Sequence, residues 1–291
     1  MPLEKLAEKD ELGNPAAHFF KSGNIVRGSE NDTLAELRLL LPKNGPNDTR
    51  VEYDVWYDLG DKERIHGYLY TDAMAKFIYI RAAGAYHTHK IMREAAQAPI
   101  TEEGLKIFED LANNSVDKYR LRKAKATHDF VIFLPGTNII NDAMNWDKVD
   151  NAVKQGAKLK CHPLTAPALL ARLKHRYGAD NIIDKKISGH QLLQNAKIVG
   201  CCENSEMGIV ALAQGKKTYL FGHGLKNLTY SAIYNTVWEG GKADQNKLKS
   251  ILSAEYSGLI PAASPNPEKY VKAFFDHYKD MPHVKPRNPS P

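Results

Sequence analysis

The chain has 291 residues, which is enough for two modest domains or one large one. It is 43% hydrophobic and 25% charged, an ordinary composition for a folded protein that argues against disorder. The net charge of +6 is compatible with an anionic nucleotide, or with a polyanion such as DNA, RNA or an acidic polysaccharide. No apolar run could cross a bilayer and the amino terminus is charged throughout, so we expect a cytoplasmic protein.

The amino-terminal part, residues 1–124, is predicted to form one domain. It begins with two predicted strands at 50–58 and 76–86 and ends in a basic run at 120–128. If the second strand continues through 87–89, His87 and His89 share one of its faces and could bind a metal. No cysteine or carboxylate lies close enough in sequence to complete such a site, so we expect no metal.

Residues 125–262 alternate between buried strands and amphipathic helices. Proline and glycine mark the element ends: Pro135 and Gly136 follow a strand, and Gly156 and Gly178 close two helices. This alternation predicts a parallel sheet flanked by helices. The three cysteines of the chain all fall here, without disulfide or CxxC spacing, and are expected to be buried, reduced thiols.

The segment KIVGCCENSEMGIVALAQGKKTYLFG, residues 197–222, predicts one strand–turn–helix–strand unit. Ser205 supplies an N-cap oxygen, Gly215 ends the helix, and 218–221 form the next strand. The turn lies at the carboxyl end of a strand, where a helix N-terminus can receive a phosphate. Residue type alone favours a plain capping role for Ser205.

The last 29 residues, 263–291, are predicted to form a helix that crosses back towards the amino-terminal domain, followed by a proline-rich tail. Asn266 and Pro267 are predicted as N-cap and first helical residue. The helix presents one aromatic and aliphatic face, made of Tyr270, Val271, Phe274, Phe275 and Tyr278.

Polar side chains follow three of the predicted parallel strands. Thr137 and Asn138 come after the first, His162 after the second, and Glu203–Ser205 after the fourth. In a doubly wound sheet these ends converge on one crevice. The sequence therefore predicts a ligand site at the carboxyl edge.

KLKCHP, followed about 40 residues later by IVGCCENSEMGIVALAQGKKTYLFG, resembles the HP motif and the serine-containing strand–helix of the capsule polysaccharide and Kdo or sialic-acid type glycosyltransferases. The segment VIFLPGTN similarly resembles the first strand of their donor domain. The resemblance covers residues 128–235. It implies an α/β fold of the GT-B type, two Rossmann-like domains with parallel sheets across a cleft. Some small phage enzymes of this type glycosylate DNA bases, and if this chain is phage-encoded we expect it in the host cytoplasm.

The resemblance implies roles for individual residues. It implies that His162 and Ser205 bind the phosphate of a nucleotide-sugar donor without a metal. The leaving phosphate also needs positive charge and donors, for which Lys160 or Lys216, together with Asn204, are expected. Residues expected near the sugar or nucleotide are Thr137, Asn138, Glu203, His223 and Tyr230. An acceptor-binding domain in residues 1–124 would supply a catalytic base, for which Asp54, Asp58 and Asp72 are candidates and one at most is used.

The resemblance implies a metal-independent, inverting glycosyltransferase with no cofactor. The donor would be a UDP- or CMP-linked sugar, and the acceptor a hydroxyl of a glycan or of a hydroxymethylated base in DNA. A nucleotide-sugar 2-epimerase and a non-enzymatic, basic nucleic-acid-binding protein stay open as alternatives. A dinucleotide-dependent oxidoreductase is disfavoured because no GxGxxG follows a predicted strand. The sequence leaves the sugar, the nucleotide, the acceptor and the oligomeric state undetermined.

Overall fold

We describe the protein from a computed structural model. The described residues are 18–19, 25–28, 51–60, 63–74, 77–82, 84–113, 121–124, 126–137, 139–163, 165–222, 229–239, 241–261 and 264–281. The chain divides into two compact units. Unit 1 comprises Met1–Ile107 and Lys249–Pro291, and unit 2 comprises Phe108–Leu248. The boundaries lie at 107/108 and 248/249, whereas the sequence predicts them at 124/125 and 262/263.

The strands are numbered in chain order. They are β1 (His18–Phe19), β2 (Ile25–Gly28), β3 (Val51–Gly60), β4 (Glu63–Met74), β5 (Phe77–Ala82), β6 (Phe130–Phe133), β7 (Lys158–Lys160), β8 (Ile182–Ile183), β9 (Ile198–Cys201), β10 (Lys217–Leu220), β11 (Trp238–Glu239), β12 (Lys242–Ala243) and β13 (Leu259–Pro261). They form a six-stranded sheet in unit 1, and a five-stranded sheet and a β11–β12 hairpin in unit 2.

The helices are likewise numbered in chain order. They are α1 (Ala85–Ala95), α2 (Glu102–Asn113), α3 (Ile140–Ala143), α4 (Trp146–Lys154), α5 (Pro167–Tyr177), α6 (Gly189–Asn195), α7 (Glu206–Ala213), α8 (Thr229–Val237), α9 (Gln245–Ser253) and α10 (Glu268–Lys279). The chain leaves unit 1 within α2 and returns to it within α9. Within the described ranges, no helix has the length and apolar character needed to span a membrane.

The sheet of unit 1 is mixed. Its order is β1-β3-β4-β5-β13, with β2 also paired to β3. The strands β1 and β2 run parallel to β3, while the pairs β3–β4, β4–β5 and β5–β13 are antiparallel. The described strands of unit 1 therefore differ from the parallel sheet that the GT-B resemblance implies for an amino-terminal domain.

Helix α10 packs its predicted face into the core of unit 1. Tyr270, Val271, Phe274, Phe275 and Tyr278 are all buried, which confirms the predicted pattern. The predicted helix start is wrong by one residue, because Pro267 is the N-cap and carries no side-chain cap bond. Proline fits there because its fixed φ matches the observed −66°.

The expectation that His87 and His89 share a face of a strand is wrong. Strand β5 ends at Ala82, and helix α1 begins after Gly84. A helix turns by about 100° per residue, so two residues separated by one position point to different sides. Across the described residues, no group of three potential histidine, cysteine, aspartate or glutamate ligands is positioned to hold a metal ion.

The sheet of unit 2 is parallel throughout, as the strand–helix alternation predicts. Its order is β10-β9-β6-β7-β8. Gly156, Gly178 and Gly215 have φ values of 91°, 84° and 71° where α4, α5 and α7 end. Such angles favour glycine, so these three residues end their helices as predicted. Unit 2 is therefore a Rossmann-like α/β domain.

The three cysteines lie in the core of this domain. All are free and buried, as predicted. Burial raises the pKa of the Cys161 and Cys202 thiols to about 11, and it raises the pKa of Cys201 further. At neutral pH the three side chains therefore stay protonated and behave as small apolar groups.

Candidate functional site

The strand order of unit 2 creates a switch point beside β6. From β6 the chain moves to β7 and β8 on one side, and then returns to place β9 and β10 on the other side. The loops after β6 and β9 therefore leave the sheet in opposite directions and open a crevice at its carboxyl edge. Open α/β sheets bind their ligands at such crevices.

Ser205 caps helix α7 at this crevice. Its Oγ accepts a hydrogen bond from the Met207 amide at 3.3 Å, as predicted for an N-cap. The Tyr234 hydroxyl donates to the Ser205 carbonyl oxygen. Gly208 lies beside that hydroxyl, and any side chain there would collide with it. The backbone of the Ser205 cap is therefore fixed by a hydrogen bond from a buried tyrosine of helix α8.

The β7 end contributes His162 through a tight turn. The Thr165 amide donates to the His162 carbonyl at 2.9 Å, and the His162 side chain is half-buried. Thr165 is only 1% exposed, and its Oγ1 has no hydrogen-bond partner among the described residues. An unpaired buried hydroxyl costs stability, and this one is enclosed by the protein, so it offers no open contact to a ligand.

Two lysines gather at the ends of β7 and β8. The Lys160 ammonium is buried and donates to the carbonyls of Cys161 at 2.6 Å and Lys185 at 3.1 Å. The Lys185 ammonium donates to the Thr165 carbonyl at 2.7 Å. Both lysines thus fix the loops around His162, and Lys185 adds a positive charge that the sequence did not single out. Phosphate binding by Lys160 stays a prediction.

Thr137 ties the β6 end to the β7 end. Its Oγ1 accepts from the Ala166 amide at 2.8 Å, and Ala166 is the N-cap of α5. The side chain therefore binds the N-cap of a helix 29 residues further along the chain, which holds the two loops together. Asn138, predicted beside it, lies outside the described residues.

Glu203 and Asn204 lie between β9 and the capped helix. Glu203 is buried, and the Ser231 hydroxyl donates to its Oε2 at 3.4 Å. Asn204 is half-buried in the same turn. Tyr230, predicted to contact the sugar or nucleotide, is buried in helix α8. His223 lies outside the described residues.

A further acid–base pair stands beside Ser205. His190, in the first turn of α6, has its Nε2 3.3 Å from Oε1 of Glu206, in the first turn of α7. His190 is 9% exposed, and its Nδ1 has no partner in the described part of the chain. Ser188 is the N-cap of α6, and a histidine two residues after such a cap is the one hint of this pair in the sequence. The pairing of His190 with Glu206 depends on how α6 and α7 pack.

The candidate bases lie in the amino-terminal sheet. Asp54 and Asp58 are in β3, where their backbones pair with Tyr68 and Arg64 of β4, and Asp72 is in β4 itself. The side chains of all three lie outside the described residues. Their role as base stays a prediction.

This geometry can hold an anionic ligand at the edge of the sheet. The ends of β7 and β9 are separated by β6, so they lie about 10 Å apart, a gap that a nucleotide-sized ligand can bridge. The start of α7 supplies the positive end of a helix dipole, and the half-buried His162 and the Lys185 ammonium lie at the neighbouring strand ends.

No protein-family model matches this chain, and a search of the curated proteins finds no match. The resemblance to glycosyltransferases therefore depends on the quoted sequence motifs alone.

Proposed function

We propose that unit 2 binds a nucleotide-activated sugar at its carboxyl edge and that the protein is a metal-independent glycosyltransferase. One observation carries this proposal: the His162 turn and the Ser205-capped start of α7 flank the switch point of a parallel sheet. These are the two residues to which the glycosyltransferase resemblance assigns the donor phosphate.

The reaction separates the sugar carbon from the phosphate oxygen of the donor. As that bond breaks, negative charge develops on the leaving phosphate, and fixed donors at His162 and at the start of α7 stabilise it. The acceptor hydroxyl, on a glycan or on a base in DNA, loses its proton to one of Asp54, Asp58 and Asp72 as it attacks from the opposite face. The donor in this proposal is linked to UDP or CMP, and inversion follows from the single displacement.

A GT-B arrangement belongs to the same proposal. The Rossmann-like sheet of unit 2 supports its donor half. The mixed sheet described in unit 1 gives the second Rossmann-like domain no support, so the proposal for donor binding concerns unit 2 alone.

Thermal-shift screening tests the donor site. The protein is heated with UDP, CMP, GDP and their sugars, because a ligand that binds only the folded state raises the unfolding temperature. We expect one nucleotide to stabilise the wild type and to lose that effect in both His162→Ala and Ser205→Ala.

Two matched variants control for the loss of a histidine and of a helix cap. His175 is exposed in the last turn of α5, and Thr101 Oγ1 accepts from the Gly104 amide in the first turn of α2 at 3.0 Å. His175→Ala and Thr101→Ala should keep the full ligand-induced shift. A panel in which no nucleotide stabilises the wild type would contradict the proposal.

A further inference from the structure

Unit 2 carries a second groove, away from the switch point. It has a volume of about 810 Å³ and lies between helix α4 and the strands β6, β9 and β10. Its lining includes the first residues of four parallel strands, Phe130, Lys158, Ile198 and Lys217. The groove therefore opens towards the amino edge of the sheet, whereas the candidate donor site lies at the carboxyl edge.

The groove is positively charged. Lys148, Lys158 and Lys217 line it, and Asp129 is the one carboxylate among the described lining residues. Asp129 is already paired with Lys197, whose ammonium lies 2.8 Å from its Oδ2. His128 adds no charge at neutral pH, because burial and the nearby Lys158 lower its pKa. The ligand that complements this lining is an anion.

The groove also presents aromatic rings. Tyr219 is 41% exposed on β10, which forms one edge of the parallel sheet. Along β10 the side chains alternate, so exposed Lys217 and Tyr219 flank the buried Thr218. Phe130 and Phe221 also line the groove, with ring centroids 6.3 Å apart, but Phe221 belongs to the buried core, so the exposed ring is that of Tyr219. Flat aromatic surfaces of this kind stack on nucleobases.

The Lys217 ammonium lies 5.3 Å from the centroid of the Tyr219 ring. Such an exposed cation–π contact is weak, so a phosphate can draw the ammonium away and leave the ring to a base. A lysine alone would be explained as protection of an edge strand against pairing. That explanation does not account for the exposed ring or the adjoining cavity.

We propose that this groove binds a segment of single-stranded nucleic acid, with a base stacked on Tyr219 and neighbouring phosphates held by Lys148 and Lys217. The overall charge of +6 favours a polyanion over a single nucleotide. The groove is separate from the proposed donor site, so this binding does not depend on the transferase activity.

Fluorescence anisotropy with a short labelled oligothymidylate tests the proposal at low and rising salt. We expect Tyr219→Ala to weaken binding about fivefold or more, and Tyr219→Phe to retain it. Lys217→Ala should weaken binding and reduce its dependence on salt. The controls are Tyr86→Ala, which removes a tyrosine that is 62% exposed in α1, and Lys242→Ala, which removes an exposed lysine of β12.

Two competitors separate the possible occupants. Thymidine monophosphate should compete far less well than the oligomer, and an abasic oligomer of the same length should bind more weakly. The proposal would be overturned if thymidine monophosphate or the abasic oligomer bound as tightly as the oligothymidylate. It would also be overturned if Tyr219→Ala bound the oligothymidylate as tightly as the wild type, or if the wild type did not bind it. His162→Ala and Ser205→Ala should leave oligomer binding intact, so failure at one site is distinguishable from failure at the other.

Discussion

At the scale of single residues, the candidate site is built from groups that hold one another in place. Ser205 caps α7, Thr137 binds the N-cap of α5, and Lys160 and Lys185 bind loop carbonyls. The capping serine was predictable, because an N-cap depends on residue type and local position. The His190–Glu206 pair was not, because its members are 16 residues apart and meet only through the packing of two helices.

The base of the proposed reaction can be found by substitution. We expect one of Asp54→Asn, Asp58→Asn and Asp72→Asn to lower kcat by about 100-fold or more while donor binding is unchanged, because a general base acts only on the acceptor. Steady-state kinetics and donor affinity are measured for each variant. Full activity in all three would exclude these carboxylates.

Glu103 predicts a pH dependence of stability in unit 1. Hydrogen bonds from Lys269 at 2.6 Å and Tyr270 at 2.9 Å lower the pKa of its carboxyl. A carboxyl whose pKa is lowered by folding stabilises the protein above its unfolded pKa of about 4.3, and this stabilisation is lost as the pH falls through the lowered value.

Glu103→Gln should therefore lower the unfolding temperature at neutral pH, and the difference from wild type should narrow below about pH 4. The exposed Glu102→Gln serves as the control from the same helical turn. Thermal unfolding is followed across a pH series. A difference that stays constant down to acid pH would show that the charge of Glu103 is not involved.

At the scale of elements, the parallel sheet of unit 2 was predictable because its signals are local. Short apolar runs, capping residues and helix-ending glycines each act within a few positions. Strand β13 shows the opposite case. It pairs with β5 through partners such as Leu259 and Tyr79, which are far apart in the chain, and nothing in its three residues indicates that partner.

Gly200 tests the packing of the central strands. It lies in β9, where an added Cβ would come within 2.7 Å of Phe221 and 2.8 Å of Ile132. Gly200→Ala should therefore destabilise the protein by about 1–3 kcal/mol through overpacking, measured by urea denaturation. At Gly189 in α6 the nearest atom would be an ordinary 3.4 Å away, so Gly189→Ala should cost little. Equal effects of the two changes would contradict this account.

At the scale of the whole molecule, unit 1 is assembled from both ends of the chain and unit 2 from its middle. The sequence predicted a boundary near residue 125 because the strand–helix alternation begins there. The change from one unit to the other instead falls inside α2 and α9, where neither composition nor a loop marks it. Continuous helices hide such boundaries from sequence patterns.

A substitution in α10 should distinguish the stability of unit 1 from ligand binding by unit 2. Phe275 is fully buried in unit 1, so Phe275→Ala should destabilise that unit by about 3–5 kcal/mol. Because the proposed donor site lies wholly in unit 2, the Kd of the nucleotide should be unchanged while the protein is folded. Calorimetric titration well below the unfolding temperature measures this Kd for the wild type and for Phe275→Ala. A large loss of nucleotide affinity would show that unit 1 contributes to the donor site.

The most direct test of the donor site and its chemistry is nucleotide release from a panel of UDP- and CMP-linked sugars, with and without acceptor, in the presence of a metal chelator. We predict that the wild type releases nucleotide from one donor despite the chelator, and that His162→Ala lowers the rate by about 100-fold because the leaving phosphate loses a donor. If no donor is bound or cleaved, or if cleavage is unaffected by both His162→Ala and Ser205→Ala, the carboxyl edge of unit 2 is not the active site.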